Sequence, residues 1–178
     1  MEESSSDSLR RKALRWTGFD YRTLGIYFVT ICTANRLPLL GRVDDTGRLH
    51  PSPIGWAVSE AWHQLPRRFP NLELIAFVAM PDHVHGLLEM GPNAGEGPPH
   101  LALGRIISVF KSVANHQVRN LDGRAAMSGS IFQRGYHDRV VRSDEELRHI
   151  EWYIAENPAR WAASRMSSGD AGSDPSLA

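Results

Sequence analysis

The chain has 178 residues, with 20 Lys and Arg balanced by 20 Asp and Glu, and one cysteine. That length suits a single domain with a sizeable core, and a lone cysteine excludes a disulfide framework and fits a reducing, cytoplasmic setting. No stretch at the N-terminus has the length and apolarity of a signal peptide or a membrane span, so a soluble protein with no membrane partner is expected.

The zero net charge conceals an uneven distribution. Residues 1–8 and 166–178 contain acidic groups and no Lys or Arg, so residues 9–165 hold all 20 basic side chains against 15 acidic ones. All but Lys12 and Lys111 are arginines, whose planar fork suits phosphate and whose face stacks on bases; this favours an anionic partner only weakly, since most charge runs are solvated. The Ser/Gly-rich ends read as disordered, giving an N-terminal arm over 1–13, one domain over 14–162 and a tail over 163–178. Arg10, Arg11, Lys12 and Arg15 make the approach to the domain basic.

Gly25 admits a run from Ile26 to Thr33 that is β-branched, aromatic and apolar on both faces, which predicts a central strand. Asp44-Asp45-Thr46-Gly47 reads as a turn between short strands. Pro53 opens a helix with Ile54, Ala57, Val58, Ala61 and Leu65 inward, and Pro66 closes it. Its tryptophans, Trp56 and Trp62, read as packing residues. Residues 73–79 predict another apolar strand, and Pro81-Asp82 a turn into 83–90, which pairs back on it as a hairpin. On that second strand His83, His85, Leu87 and Glu89 share a face, with the imidazoles roughly 6–7 Å apart, so two ring nitrogens can converge on one cation. A bare His-x-His is more often a hydrogen-bonded pair on a half-exposed face.

A Gly/Pro-rich loop over 91–99 precedes a helix of about 101–119 with Ile106, Phe110, Val113 and Ala114 inward. It leaves Arg105, Lys111 and Asn115 elsewhere on its surface. Residues 131–142 alternate as an extended segment, with Tyr136 on one side and His137 and Arg139 on the other. A final helix runs from Ser143, its N-cap, with Glu146 completing a capping box, to Asn157, because Pro158 disfavours helical geometry before it. Leu147, Ile150 and Ile154 form its apolar stripe, and Tyr153 and Asn157 flank that stripe one turn apart.

These pieces together resemble the HUH endonuclease superfamily, and within it the single-tyrosine insertion-sequence transposases, most closely the REP-associated tyrosine transposases. The resemblance spans about 14–162. It runs through Gly25–Thr33 and Asn35-Arg36, Met80-Pro81-Asp82-His83-Val84-His85, Phe110-Lys111-Ser112, Phe132–Asp138, Val141-Arg142, Tyr153-Ile154, Asn157-Pro158 and Trp161. Family members often carry asparagine where this chain has Asp82, and tryptophan where it has Phe132. The resemblance implies a ferredoxin-like α/β (α+β) domain, an antiparallel sheet with packed helices, that cuts and rejoins single-stranded DNA beside hairpins through a 5′-phosphotyrosine. In that reading Tyr153 is the nucleophile, and His83, His85 and the Asn157 oxygen hold Mn²⁺ or Mg²⁺. Lys111 is implied to contact DNA, with Arg105, Arg134 and Arg139 as further contacts. Tyr136 is the competing nucleophile, and His137 and Glu146 are possible proton carriers. The protein would be a monomer or homodimer, nucleoid-associated in the cytoplasm. Two other readings stand beside this one: a non-cleaving hairpin-binding module on the same scaffold, and a metal hydrolase that uses water.

Overall fold

The computed structural model describes residues 25–91, 103–121 and 129–169, with side chains as far as residue 165. The expected basic arm, most of the Gly/Pro loop and the end of the tail lie outside the described residues. Ten elements follow in order: β1 (Gly25–Cys32), β2 (Gly41–Val43), β3 (Leu49–Pro51), α1 (Pro53–His63), α2 (Leu65–Arg68), β4 (Leu72–Met80), β5 (His83–Met90), α3 (Leu103–Arg119), β6 (His137–Val141) and α4 (Asp144–Gly169).

The main sheet has the order β4-β5-β1-β6, antiparallel throughout. With the β2–β3 hairpin set aside, this is the split β-α-β-β-α-β arrangement expected of a ferredoxin-like domain. Because side chains alternate along a strand, each face of the sheet acquires its own core. Tyr27, Val29, Ile31, Val84 and Leu88 point to the face covered by α1 and α3, where Trp62 and Phe110 are fully buried. Phe28, Leu87 and Val141 point to the other face, where Ile150 and Ile154 of α4 cover them. The histidines of β5 have the parity of Leu87, so they lie under α4.

Close packing on the α1 side depends on Gly86. Trp62 stacks on Phe77 at 5.0 Å between ring centroids and meets Phe110 edge-on at 5.3 Å. A Cβ on Gly86 would lie 2.3 Å from the Trp62 ring. Trp62 thus packs as expected, whereas Trp56 does not: it sits opposite the buried Ile54/Val58/Ala61 stripe of α1 and is 65% exposed. Local chemistry explains where α1 begins, since Ser52 Oγ accepts from Gly55 N at 3.1 Å and Pro53 occupies the first turn, where no N–H is required.

Two expectations are corrected. The last helix does not stop at Asn157; it continues through Pro158 to Gly169, so residues 163–169, read as tail, are helical. Pro158 cannot donate to the Ile154 carbonyl, but tertiary packing on both sides of it outweighs that loss. Ala162 is buried, Trp161 lies against His83, and Ala159 meets the tip of the β2–β3 hairpin. That tip is Gly47, whose φ is +80° and where a Cβ would lie 2.9 Å from Ala159 Cα, leaving no room for a side chain. The extended segment is also shorter than the alternation over 131–142 suggests, and only His137–Val141 joins the sheet. Upstream, the carbonyls of Gln133, Arg134 and Gly135 turn to Lys111 Nζ at 2.7, 3.3 and 2.8 Å. Before that turn the segment makes one isolated bridge, Phe132 with Thr33.

Candidate active site

His83 and His85 stand at the start of β5, both buried. Their Nε2 atoms approach to 3.1 Å. Each ring has its other nitrogen occupied: His83 Nδ1 meets Asp82 Oδ1 at 2.5 Å, and His85 Nδ1 meets Thr30 Oγ1 at 2.9 Å. A carboxylate only accepts, so His83 donates from Nδ1 and turns the Nε2 lone pair toward its neighbour. The Thr30 hydroxyl both donates and accepts, so His85 can carry its hydrogen on either nitrogen. With His83 Nε2 accepting, the 3.1 Å contact makes His85 Nε2–H its donor. With the hydrogen moved to Nδ1 and the Thr30 hydroxyl rotated to accept it, both Nε2 lone pairs are freed, and a turn of the rings out of their mutual hydrogen bond would let both reach one cation.

The turn that presents the pair is fastened to the rest of the sheet. Thr33 N donates to the Asp82 carbonyl at 2.9 Å and Leu40 N to the Pro81 carbonyl at 3.0 Å. Arg36 Nη1 reaches Asp82 Oδ2 at 3.4 Å. Arg36 and Asn35 both have left-handed backbones, at φ 56° and 54°, a conformation non-glycine residues rarely hold without surrounding constraint. Asp82 therefore joins His83 to Arg36, a carboxylate–imidazole pairing of the kind that orients metal-binding histidines.

Burial, then the nearby His83 and Arg36, depress the His85 pKa from its usual range to about 3, with Asp82 opposing. The unfolded chain takes up a proton near pH 6.5 that the folded protein refuses until much lower pH, so stability is full above about pH 6.5 and is lost as the pH falls toward 3. Metal-free protein is expected to lose roughly 2–3 kcal/mol between pH 7 and pH 4.5 through this group. Urea unfolding at the two pH values measures it, and His85→Gln should show correspondingly less loss.

Helix α4 crosses above the imidazoles. The Tyr153 ring lies 5.4 Å from the His85 ring and edge-on to Phe28 at 6.2 Å, and the Trp161 ring lies 5.9 Å from His83. Tyr153, Asn157 and Trp161 are successive turns of one helix face, so Asn157, buried, falls between the two contacts. Among the described residues no group of three or more His, Cys, Asp or Glu is placed to hold a metal ion. The buried Asn157 offers a carboxamide oxygen as a further ligand of another type. Two neutral imidazoles and an amide oxygen fit Mn²⁺ better than Mg²⁺, which prefers an oxygen shell.

The other candidates are distributed unevenly. Tyr136 packs into the α1/α3 core, with its hydroxyl beside Gly104, on the face away from the imidazoles. His137 pairs in register with Thr30, which also pairs with His85, so it shares the face of the site two strands over and is exposed. Glu146 accepts from Arg142 N at 2.9 Å and pairs with Arg139 Nη2 at 2.5 Å, which ties both side chains to the start of α4. Lys111 spends its donors on the 133–135 carbonyls, and desolvation lowers its pKa to about 8. Arg105 and Arg134 are exposed. Thr30, Arg36, Trp161 and Arg160, whose guanidinium lies 5.6 Å from the Tyr153 ring centroid, did not stand out as site residues in the sequence. Strand parity could have found Thr30. A helix read as continuing past Pro158 would have found Arg160 and Trp161, and no local pattern marks Arg36.

Residues 52–157 match the model of the family described as Transposase IS200 like. The chain belongs to the IS200-like transposase family. This transposase-family chain is 26% identical over 172 residues to an uncharacterized protein of Haemophilus influenzae, covering 88% of its own length and 92% of that protein. Its fold is similar to the structure of a REP-associated tyrosine transposase bound to a REP hairpin, with a TM-score of 0.57, 20% identity, and coverage of 82% of this chain and 74% of that one. Membership makes it a DNA-cleaving enzyme of transposition in the general sense. Among the described residues no helix is long and apolar enough to cross a membrane.

Proposed function

We propose that this transposase cuts and rejoins single-stranded DNA beside a hairpin through a covalent bond to Tyr153, with His83, His85 and Asn157 holding a divalent cation. The observation that carries the proposal is the contact of Tyr153 with His85, with Asn157 held between that contact and the one from Trp161 to His83. The hairpin-bound transposase of similar fold supports a hairpin as partner.

The Tyr153 oxygen attacks phosphorus, the bond from phosphorus to the 3′-oxygen breaks, and the strand is left with a 5′-phosphotyrosine and a free 3′-OH. The phosphodiester is exchanged rather than hydrolysed, so a second 3′-OH reverses the step and no nucleotide cofactor is consumed. A free phenol has a pKa near 10, so only about one molecule in a thousand is ionised at pH 7. The cation would supply charge stabilisation at the non-bridging phosphate oxygens and orientation for in-line attack. The chain supplies the rest: Phe28 and His85 fix the phenol ring, while Asp82 and Thr30 fix the imidazoles. His137, exposed on the same face, is the candidate to carry the proton.

The test is a labelled hairpin oligonucleotide incubated with protein and Mn²⁺, then run on a denaturing gel. A protein-linked strand is expected from the wild type and Tyr136→Phe, and none from Tyr153→Phe. Adduct lost only in Tyr136→Phe would move the nucleophile to the other face. Cleavage without adduct would indicate attack by water, and binding without cleavage a hairpin-binding module.

A further inference from the structure

Trp152 is 53% exposed on α4, immediately before Tyr153. A single exposed tryptophan needs no explanation, and Trp56, at 65%, sits alone on α1. Trp152 differs in its neighbours. The His149 ring lies 6.1 Å from it, and the Arg160 guanidinium lies 5.7 Å from its centroid while also standing 5.6 Å from that of Tyr153. Side chains on a helix lean toward its N-terminus, so Arg160 reaches back two turns and spans the two rings. Glu156, one turn before Arg160 and in the favourable order for an ion pair, is not its partner among the described residues. A guanidinium held over aromatic rings keeps its N–H edge for another acceptor.

We infer that Trp152 and Arg160 form a platform for one unpaired nucleotide next to the phosphate that Tyr153 attacks, Trp152 stacking on the base and Arg160 taking a backbone phosphate. This rests on the proposed function and specifies what it leaves open, how the strand beside the cut is held. The occupant is an unpaired DNA nucleotide because an aromatic face beside a cation matches a base joined to a phosphate, whereas bases inside a duplex offer no free face to stack. Glu156 limits the platform, since its carboxylate repels a second phosphate along the helix.

Binding is measured with the full chain carrying Tyr153→Phe, so that no covalent product forms. The probes are a hairpin oligonucleotide with an unpaired thymidine flank and the same hairpin with a blunt end. Trp152→Ala is expected to weaken binding of the flanked hairpin by about 5- to 100-fold and to leave the blunt one unchanged. Trp152→Phe should keep most of the affinity, and Trp56→Ala all of it. Arg160→Gln should lower the salt dependence by about one counterion. Unchanged affinity for the flanked hairpin in Trp152→Ala, or equal loss on both probes, would overturn the platform. So would a change in sedimentation on Trp152→Ala with binding intact, which would make this face a contact between copies. Adduct formation is scored separately in protein with Tyr153 intact, so its absence would count against the phosphotyrosine reading without altering the binding result.

Discussion

Replacing His85 with alanine is expected to reduce adduct formation about a thousandfold or more, and EDTA should do the same to the wild type, with Mn²⁺ restoring only the latter. The size follows from what is removed. Charge stabilisation by a bound cation contributes several kcal/mol at the transition state, and each 1.36 kcal/mol is about tenfold in rate. His85 also contacts Thr30, His83, Phe28 and the Tyr153 ring, so its loss would loosen the phenol as well as remove a proposed ligand. Mn²⁺ binding measured by calorimetry should fall in parallel. A variant that binds Mn²⁺ as tightly as the wild type would remove His85 from the ligand set, whatever its activity.

Gly86→Ala is expected to have the largest effect on stability, a loss of about 1–3 kcal/mol or more. The added carbon would sit 2.3 and 2.4 Å from two atoms of the Trp62 ring. That ring cannot retreat, because it is fully buried and held between Phe77 and Phe110. Thermal unfolding should show the loss, and combining the change with Trp62→Phe should recover part of it by removing the indole's outer ring. Additive destabilisation in the double variant would mean that the two sites do not share the clash. Because β5 carries the histidines one and three residues earlier, the strained variant should also bind Mn²⁺ less tightly.

Much of the architecture is legible in local patterns. The run from Ile26 to Thr33, the helix opening at Pro53, the Pro81-Asp82 turn and the apolar stripe Leu147/Ile150/Ile154 each depend on neighbours within a turn or a strand. Period and turn chemistry are sufficient there. Where distant contacts compete with local preference, the reading fails. Pro158 argues for a helix end, yet Ala159 against Gly47 and Trp161 against His83 carry α4 onward. The alternation over 131–142 predicts one long strand, yet Lys111, some twenty residues upstream, draws three carbonyls out of line.

The site divides in the same way. The amino-acid sequence by itself determines that His83 and His85 share a strand face and that Tyr153 and Asn157 share a helix face, because those relations are set by backbone periodicity. Only the tertiary structure decides that the two faces meet. It turns both Nε2 atoms inward through Asp82 and Thr30, takes Lys111 into the 133–135 loop, and sets Arg160 over the tyrosine. Except for the neighbouring Asp82 and the same-helix Arg160, these relations join residues far apart in the chain, as Thr30 with His85 and Lys111 with 133–135, and no local spacing encodes them.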